Sequence, residues 1–238
     1  MPLRRQYRPK TIEIGLDEAG RGCLAGPVTA AAVVLMPGRR SPSDLNDSKQ
    51  IPPHRREELR VWVEENSLAW AVGWCSPEEI DAENILQASM SAMHKALDQL
   101  SLKLDKRLKD GFLLPIGFAE RSKLLLVDGH YWRDYKGVDY SCQKKGDGRF
   151  QSIAAASILA KTYRDAKMLE LHAQHPEYSW NTNKGYGTPP HQRALMAHGP
   201  TEWQLMSHVP CPTSHVPFSN FTSIFLADVQ AAADRYFA

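Results

Sequence analysis

The sequence predicts a mixed α/β domain, and three observations carry that prediction. Ile12, Ile14 and Leu16 alternate with polar or small residues, the two-residue period of a strand with one buried face. Residues 28–35 are an unbroken small and β-branched run after the Gly26-Pro27 turn signal, a second strand expected to pair with the first as a hairpin. Leu86, Met90, Met93, Leu97 and Leu100 recur at spacings of four and three, the core stripe of a long helix. Strands interspersed with helices in this way build a mixed sheet covered by helices.

The remaining elements follow in order. Residues 37–53 are rich in Pro, Ser, Asp and Asn and read as loop. A helix over about 53–66 and a strand over 68–75 come next. Ser76-Pro77-Glu78-Glu79 opens the long helix with a Ser cap, Pro at the first helical position and Glu three residues after the cap. Residues 101–123 are basic and broken by Gly111, Pro115 and Gly117, which predicts a surface excursion. A short buried strand over 123–127 ends at Asp128-Gly129. Helices are expected over about 151–172 and 190–198. The tail, rich in Pro, Ser and His between 200 and 219, closes in an apolar helical stretch through Tyr236. No internal repeat interrupts this order.

Composition excludes some classes of protein. The 238 residues are 42% hydrophobic and 24% charged, enough to bury a core. A net charge of +2 permits a nucleic-acid partner without announcing one. The positive charge is uneven, with clusters at Arg4, Arg5, Arg8 and Lys10, at Lys103, Lys106, Arg107 and Lys109, and at Lys144, Lys145 and Arg149. Cys23, Cys75, Cys142 and Cys211 lie too far apart for a zinc motif and do not read as a disulfide framework. Cys211 and His215 alone make a weak metal pair. The N-terminus has no apolar run with a cleavage site, so no signal peptide is expected. The apolar runs at 28–36 and 153–160 are too short to span a bilayer. A cytoplasmic protein is expected.

Chemistry is expected at acidic residues that close apolar strands. Asp17 and Glu18 end the first strand, Asp128 ends Leu124-Leu125-Leu126-Val127, and Asp147 sits in Gly146-Asp147-Gly148 ahead of a helix. Neighbouring strands end on a common edge where loops leave room for ligands. Hard oxygen ligands gathered there suit Mg²⁺ or Mn²⁺. Adjacent residues of a regular strand point to opposite faces, so Asp17 and Glu18 share a site only if the strand breaks between them. Gly20 and Gly22, free to take positive φ, would supply the bend. Asp128-Gly129 and Gly146-Asp147-Gly148 are also common turn sequences, and Asp147 also fits the positive end of the following helix.

Seven ordered motifs resemble the bacterial type 2 ribonuclease H (ribonuclease HII) family. They are the block from Gly15 to Val28 that contains Asp17-Glu18-Ala19-Gly20-Arg21-Gly22; Leu45-Asn46-Asp47-Ser48-Lys49; Glu79-Ile80-Asp81 with Asn84-Ile85-Leu86-Gln87-Ala88; Val127-Asp128-Gly129; Lys145-Gly146-Asp147; Ser152 to Lys161 with Arg164-Asp165; and Lys184-Gly185-Tyr186-Gly187-Thr188. The resemblance implies a ribonuclease H-like fold divided into a basic tail (1–10), a catalytic domain (11–188) and a helical C-terminal extension (189–238). It implies Asp17, Glu18, Asp128 and Asp147 as catalytic ligands of two Mg²⁺ or Mn²⁺ ions. The implied substrates are RNA/DNA hybrids and DNA duplexes containing ribonucleotides, cut 5′ of the ribonucleotide to leave 3′-hydroxyl and 5′-phosphate, by a chain expected to be monomeric.

By the same resemblance, Gly20, Arg21 and Gly22 read the 2′-hydroxyl, the one group that separates RNA from DNA. Tyr186 packs on the sugar and Lys49 contacts a phosphate. Lys161 and Asp165, one helical turn apart, are held as a supporting ion pair. Residues 101–123 and the span from Asp128 to Asp147 are longer than the family pattern, which makes Asp134 and Asp139 competitors of Asp147. Another metal-dependent nuclease on the same fold would need the carboxylates but not Gly20-Arg21-Gly22 or Tyr186. A non-catalytic binding module would not gather four carboxylates that repel phosphate.

Overall fold

The computed structural model describes residues 3–110, 114–115 and 117–208. Its strands β1 (Ile12–Ala19), β2 (Val28–Leu35), β3 (Ser67–Cys75), β4 (Lys123–Asp128) and β5 (Tyr140–Gln143) form one sheet in the order β3-β2-β1-β4-β5. The first three make an antiparallel meander, with β4 parallel to β1 and β5 parallel to β4. The helices are α1 (Pro53–Asn66), α2 (Pro77–Glu83), α3 (Ile85–Lys109), α4 (Gln151–Gln174), α5 (Trp180–Asn183) and α6 (Pro189–His198).

Strand alternation divides the core between the two faces. Ile12, Ile14, Leu16, Ala30, Ala32 and Val34 pack with the α3 stripe of Met90, Met93, Leu97, Leu100 and Leu104. Ala31, Val33 and Val72 pack with Ala155, Ala156, Leu159 and Ala160 of α4, whose small side chains let that helix lie close to the sheet. Burying a leucine such as Leu16 contributes about 1.5–3 kcal/mol, so the end of β1 is anchored directly before its acidic residues.

Four sequence-based expectations change. The long helix is two helices, because Asn84 adopts φ 69° and its side chain caps the second one, accepting from Leu86 N and Gln87 N. That second helix runs on to Lys109, since Leu104 and Leu108 continue its apolar stripe and Lys106, Arg107 and Lys109 suit its negative end. Residues 101–109 are therefore helix, not surface excursion. The strand β5 carries no apolar period and was not expected; it forms because β4 offers it a free edge. Within the loop 37–53, Asp47 caps a short turn at Ser48–Gln50 by accepting from Lys49 N.

The segment after residue 188 is packed on the rest. Leu195 of α6 joins Met168 and Leu171 of α4, Ala25, Tyr178 and Trp180 in one apolar cluster. The apolar stretch through Tyr236, and Cys211 with His215, lie outside the described residues. Cys23, Cys75 and Cys142 are free thiols. No described helix is long and apolar enough to cross a membrane.

Candidate active site

The site forms where β1 outruns β4. Their parallel pairing ends at Leu16 and Val127, so the next residues, Asp17 and Asp128, stand side by side at the ends of neighbouring strands. The pairing of β1 with β2 continues through Ala19, with Asp17 opposite Ala31 and Glu18 opposite Ala30. This corrects the expectation of a break between Asp17 and Glu18. The strand is regular through both, and the bend follows at Gly20, with φ 108°. Gly22 takes no positive φ.

The pleat accordingly sends the two side chains to different sides. Asp17 faces Ser157 of α4, which in turn shares a 2.9 Å hydrogen bond with Ser48. Glu18 pairs with Arg21 at 2.9 Å, and Arg21 Nε donates to Ser89 of α3. Asp128 Oδ1 accepts from Gly146 N at 2.7 Å, which ties β4 to the turn carrying Asp147. Asp147 accepts from the next amide, Gly148 N, and does not cap α4, which has no side-chain cap. Asp134 accepts from Gly137 N and Asp139 pairs with Arg8, so neither competitor is engaged as Asp147 is with Asp17 and Asp128.

Electrostatics records how closely these groups gather. Burial, then repulsion from Asp128, Glu18 and Asp147, pushes Asp17 well above the usual carboxylate range, with Ser157 offsetting a part. Asp128 is pushed up to about 6, first by burial and then by Glu18, against the amides of Gly146 and Asp147 and the charge of Lys49. Asp147 is also pushed up to about 6, by burial and then by Asp128 and Asp47. Glu18 Oε2 is buried without a hydrogen-bond partner, a costly state that a cation would relieve.

The donor set fits a hard divalent cation. Among the described residues, no three His, Cys, Asp or Glu side chains already converge tightly enough to enclose an ion. Mg²⁺ and Mn²⁺ suit such an open arrangement, because they keep several waters and take other oxygens from substrate phosphates. Lys49 is exposed beside Asp128 and Asp147, on the approach to them.

The residues expected at the substrate divide into two kinds. A Cβ on Gly20 would meet Arg164 Nε at 2.3 Å and Pro27 O at 2.9 Å, so this glycine makes room for the protein's own packing. A Cβ on Gly22 would meet only the Tyr186 ring, at 3.8 Å, so its backbone lies open beside that ring. Tyr186 is 41% exposed although its backbone is held by a bridge to Cys23. Lys161 and Asp165 pair at 2.7 Å, with Arg56 as a second partner of Asp165.

Two further residues were legible only as anomalies. Arg164 occupies the buried stripe of α4 between Ser157, Ala160, Met168 and Leu171, where a charge is out of place, and it is fully buried. His191 is fully buried as well; Trp180 Nε1 donates to its Nε2 at 3.1 Å, so its Nδ1 carries the proton donated to Tyr186 O at 2.9 Å.

Solved structures with this fold are nucleases. The crystal structure of ribonuclease H2 from Pyrococcus horikoshii superposes with a TM-score of 0.59 at 21% identity, over 82% of this chain and 92% of that one. Bst-RNase HIII in complex with Mn²⁺ matches with a TM-score of 0.52 at 18% identity, over 95% of this chain and 71% of that one. The family model described as Ribonuclease HII matches residues 14–209. Ribonuclease HII of Phocaeicola vulgatus is 50% identical over 82% of this chain and 88% of its own length. That of Cytophaga hutchinsonii is 45% identical over 87% of this chain and 94% of its own. The chain belongs to the ribonuclease HII family, and is thus a nuclease that hydrolyses phosphodiester bonds.

Proposed function

We propose that this enzyme cuts the RNA strand of RNA/DNA hybrids and single ribonucleotides within duplex DNA, on the 5′ side of the ribonucleotide, leaving 3′-hydroxyl and 5′-phosphate. The observation that carries this reading is the gathering of Asp17, Glu18, Asp128 and Asp147 where β1 and β4 end, beside the open backbone of Gly22 and the exposed ring of Tyr186. In this reading all four carboxylates hold two Mg²⁺ or Mn²⁺ ions. When bound, such ions activate the attacking water and neutralise the leaving oxygen of an in-line displacement.

The chain's own residues then divide the work. Ser157 orients Asp17 from α4, and the Gly146 amide orients Asp128. Lys49 receives a substrate phosphate at the mouth of the site. The backbone around Gly22 meets the 2′-hydroxyl, since no side chain bars close approach there, and Tyr186 packs on the same sugar. Gly20 shapes this loop from beneath. Arg21 flanks the pocket while balancing Glu18. The catalytic unit is residues 11–188, buttressed by the helical segment that follows; it works as a monomer in the cytoplasm.

The test is to map the products from a duplex with one embedded ribonucleotide in Mg²⁺. Cutting at the 5′ side with a 5′-phosphate end supports the reading. Cutting on the 3′ side, or a 3′-phosphate product, would overturn it.

A further inference from the structure

The Arg164 guanidinium is buried in the helix α4 and its hydrogen bonds go to three backbone carbonyls. Nε donates to Pro27 O at 2.9 Å, Nη2 to Ala25 O at 3.0 Å and Nη1 to Lys184 O at 2.8 Å. The nearby Asp165 carboxylate turns instead to Lys161 and Arg56. A buried cation is costly to desolvate, and carbonyl dipoles repay that cost only when they are held in place. Pro27 and Ala25 belong to the loop that follows Asp17 and Glu18. Lys184 belongs to the loop that presents Tyr186. One planar side chain therefore joins two segments about 160 residues apart, as the 2.8 Å bond from Leu24 N to Gly185 O does beside it.

The surrounding contacts make this junction tight. A Cβ on Gly185, whose φ is 84°, would fall 2.3 Å from Ala25 O, so the two loops touch through bare backbone. Met168, one turn after Arg164 on α4, fills the space against Gly26 and Gly185. His191 holds the far end by donating to Tyr186 O. None of these groups reaches the carboxylates; all of them fix where the Gly22 backbone stands relative to the Tyr186 ring.

We infer that Arg164 is a positioning residue for sugar recognition: it clamps the Gly20–Pro27 and Lys184–Tyr186 loops into one unit and so sets the spacing that selects a lone ribonucleotide. This rests on the reading above that Gly22 and Tyr186 meet the sugar. A lysine at position 164 keeps the charge but cannot span three carbonyls in a plane.

The test uses Arg164→Lys in the full chain, with Arg164→Gln as the neutral alternative should the lysine variant not fold. Amide hydrogen exchange reads the clamp itself. Exchange in residues 21–26 and 184–187 should quicken about tenfold or more, as loss of charge-assisted hydrogen bonds implies, while β1 and the middle of α4 stay unchanged. Kinetics reads its purpose. kcat/KM on a single-ribonucleotide duplex should fall about tenfold further than on a long hybrid, with Mn²⁺ affinity unchanged within about twofold. Adding Tyr186→Ala should then cost little more, because coupled residues are not additive. Unchanged exchange in both loops would overturn the inference whatever the kinetics show. Faster exchange with equal loss on both substrates, while Tyr186→Ala alone still discriminates, would overturn it as a recognition device. If Tyr186→Ala alone fails to discriminate, the sugar-contact reading falls, and the exchange data still decide the clamp.

Discussion

The Arg21 guanidinium stands 2.9 Å from the Glu18 carboxylate, in the loop that directly follows it. The side chain expected at the sugar is thus bound, in the free enzyme, to a candidate metal ligand. Arg21 competes with a cation for Glu18, and its hydrogen bond to Ser89 of α3 keeps it there.

Removing that competitor should tighten metal binding. Arg21→Ala is expected to strengthen Mn²⁺ binding by about two- to fivefold, a modest effect because the pair is partly exposed to solvent. Isothermal titration calorimetry on the metal-free protein checks this. Weaker Mn²⁺ binding would show that Arg21 organises the ligands instead of competing with them.

Asp17→Asn should cost at least about 10³-fold in metal-dependent cleavage, as loss of a central catalytic group does. Circular dichroism should show the fold intact, because Asn retains the shape beside Ser157. Near-normal turnover would remove Asp17 from the site.

The crowded carboxylates should destabilise the metal-free fold at neutral pH. Asp128 has a folded pKa of about 6 against an ordinary value of 3.8. A group raised in this way contributes stability that is fully present below about pH 4 and is lost as pH rises through 6. Asp128→Asn should therefore raise the Tm of the protein in EDTA at pH 7 by roughly 2–6 °C. The gain should vanish near pH 4 and reverse relative to wild type in excess Mn²⁺. Thermal melts in the three conditions check it, and no gain at pH 7 would mean that the repulsion is already relieved.

Tyr186→Ala should impair cleavage at an RNA–DNA junction more than cleavage inside a long RNA stretch. About tenfold separates the two if the ring contributes roughly 1–3 kcal/mol by stacking on nucleic acid. Kinetics on matched duplexes measures the ratio, and equal losses would take Tyr186 out of sugar recognition.

Much of this arrangement could be read from residue order alone. Ile12, Ile14 and Leu16 announced β1 because their period survives into the buried pattern. Asp17 and Glu18 stood out because acids gain nothing at the end of an apolar strand unless they bind something. What the sequence concealed had physical causes. The helix break at Asn84 depends on one residue taking a left-handed conformation, which interrupts no apolar period. The strand β5 owes its existence to the edge of β4 and not to its own residues. Gly20 and Gly22 look alike as letters, yet one accommodates Arg164 and the other lies open, a difference set by packing across 144 positions of chain between Gly20 and Arg164. The continuity of β1 through Glu18 was misjudged because its β2 pairing, which keeps it regular, was not weighed against the β4 pairing that ends first.

The central claim is that carboxylates at the ends of β1 and β4 act through metal on a sugar selected beside Gly22 and Tyr186. The direct measurement compares two duplexes of one sequence, one all DNA and one with a single ribonucleotide, in Mg²⁺ and in EDTA. Cutting only of the ribonucleotide-containing strand, and only with Mg²⁺, is the predicted result. Equal cutting of both duplexes, or cutting that persists in EDTA, would contradict it.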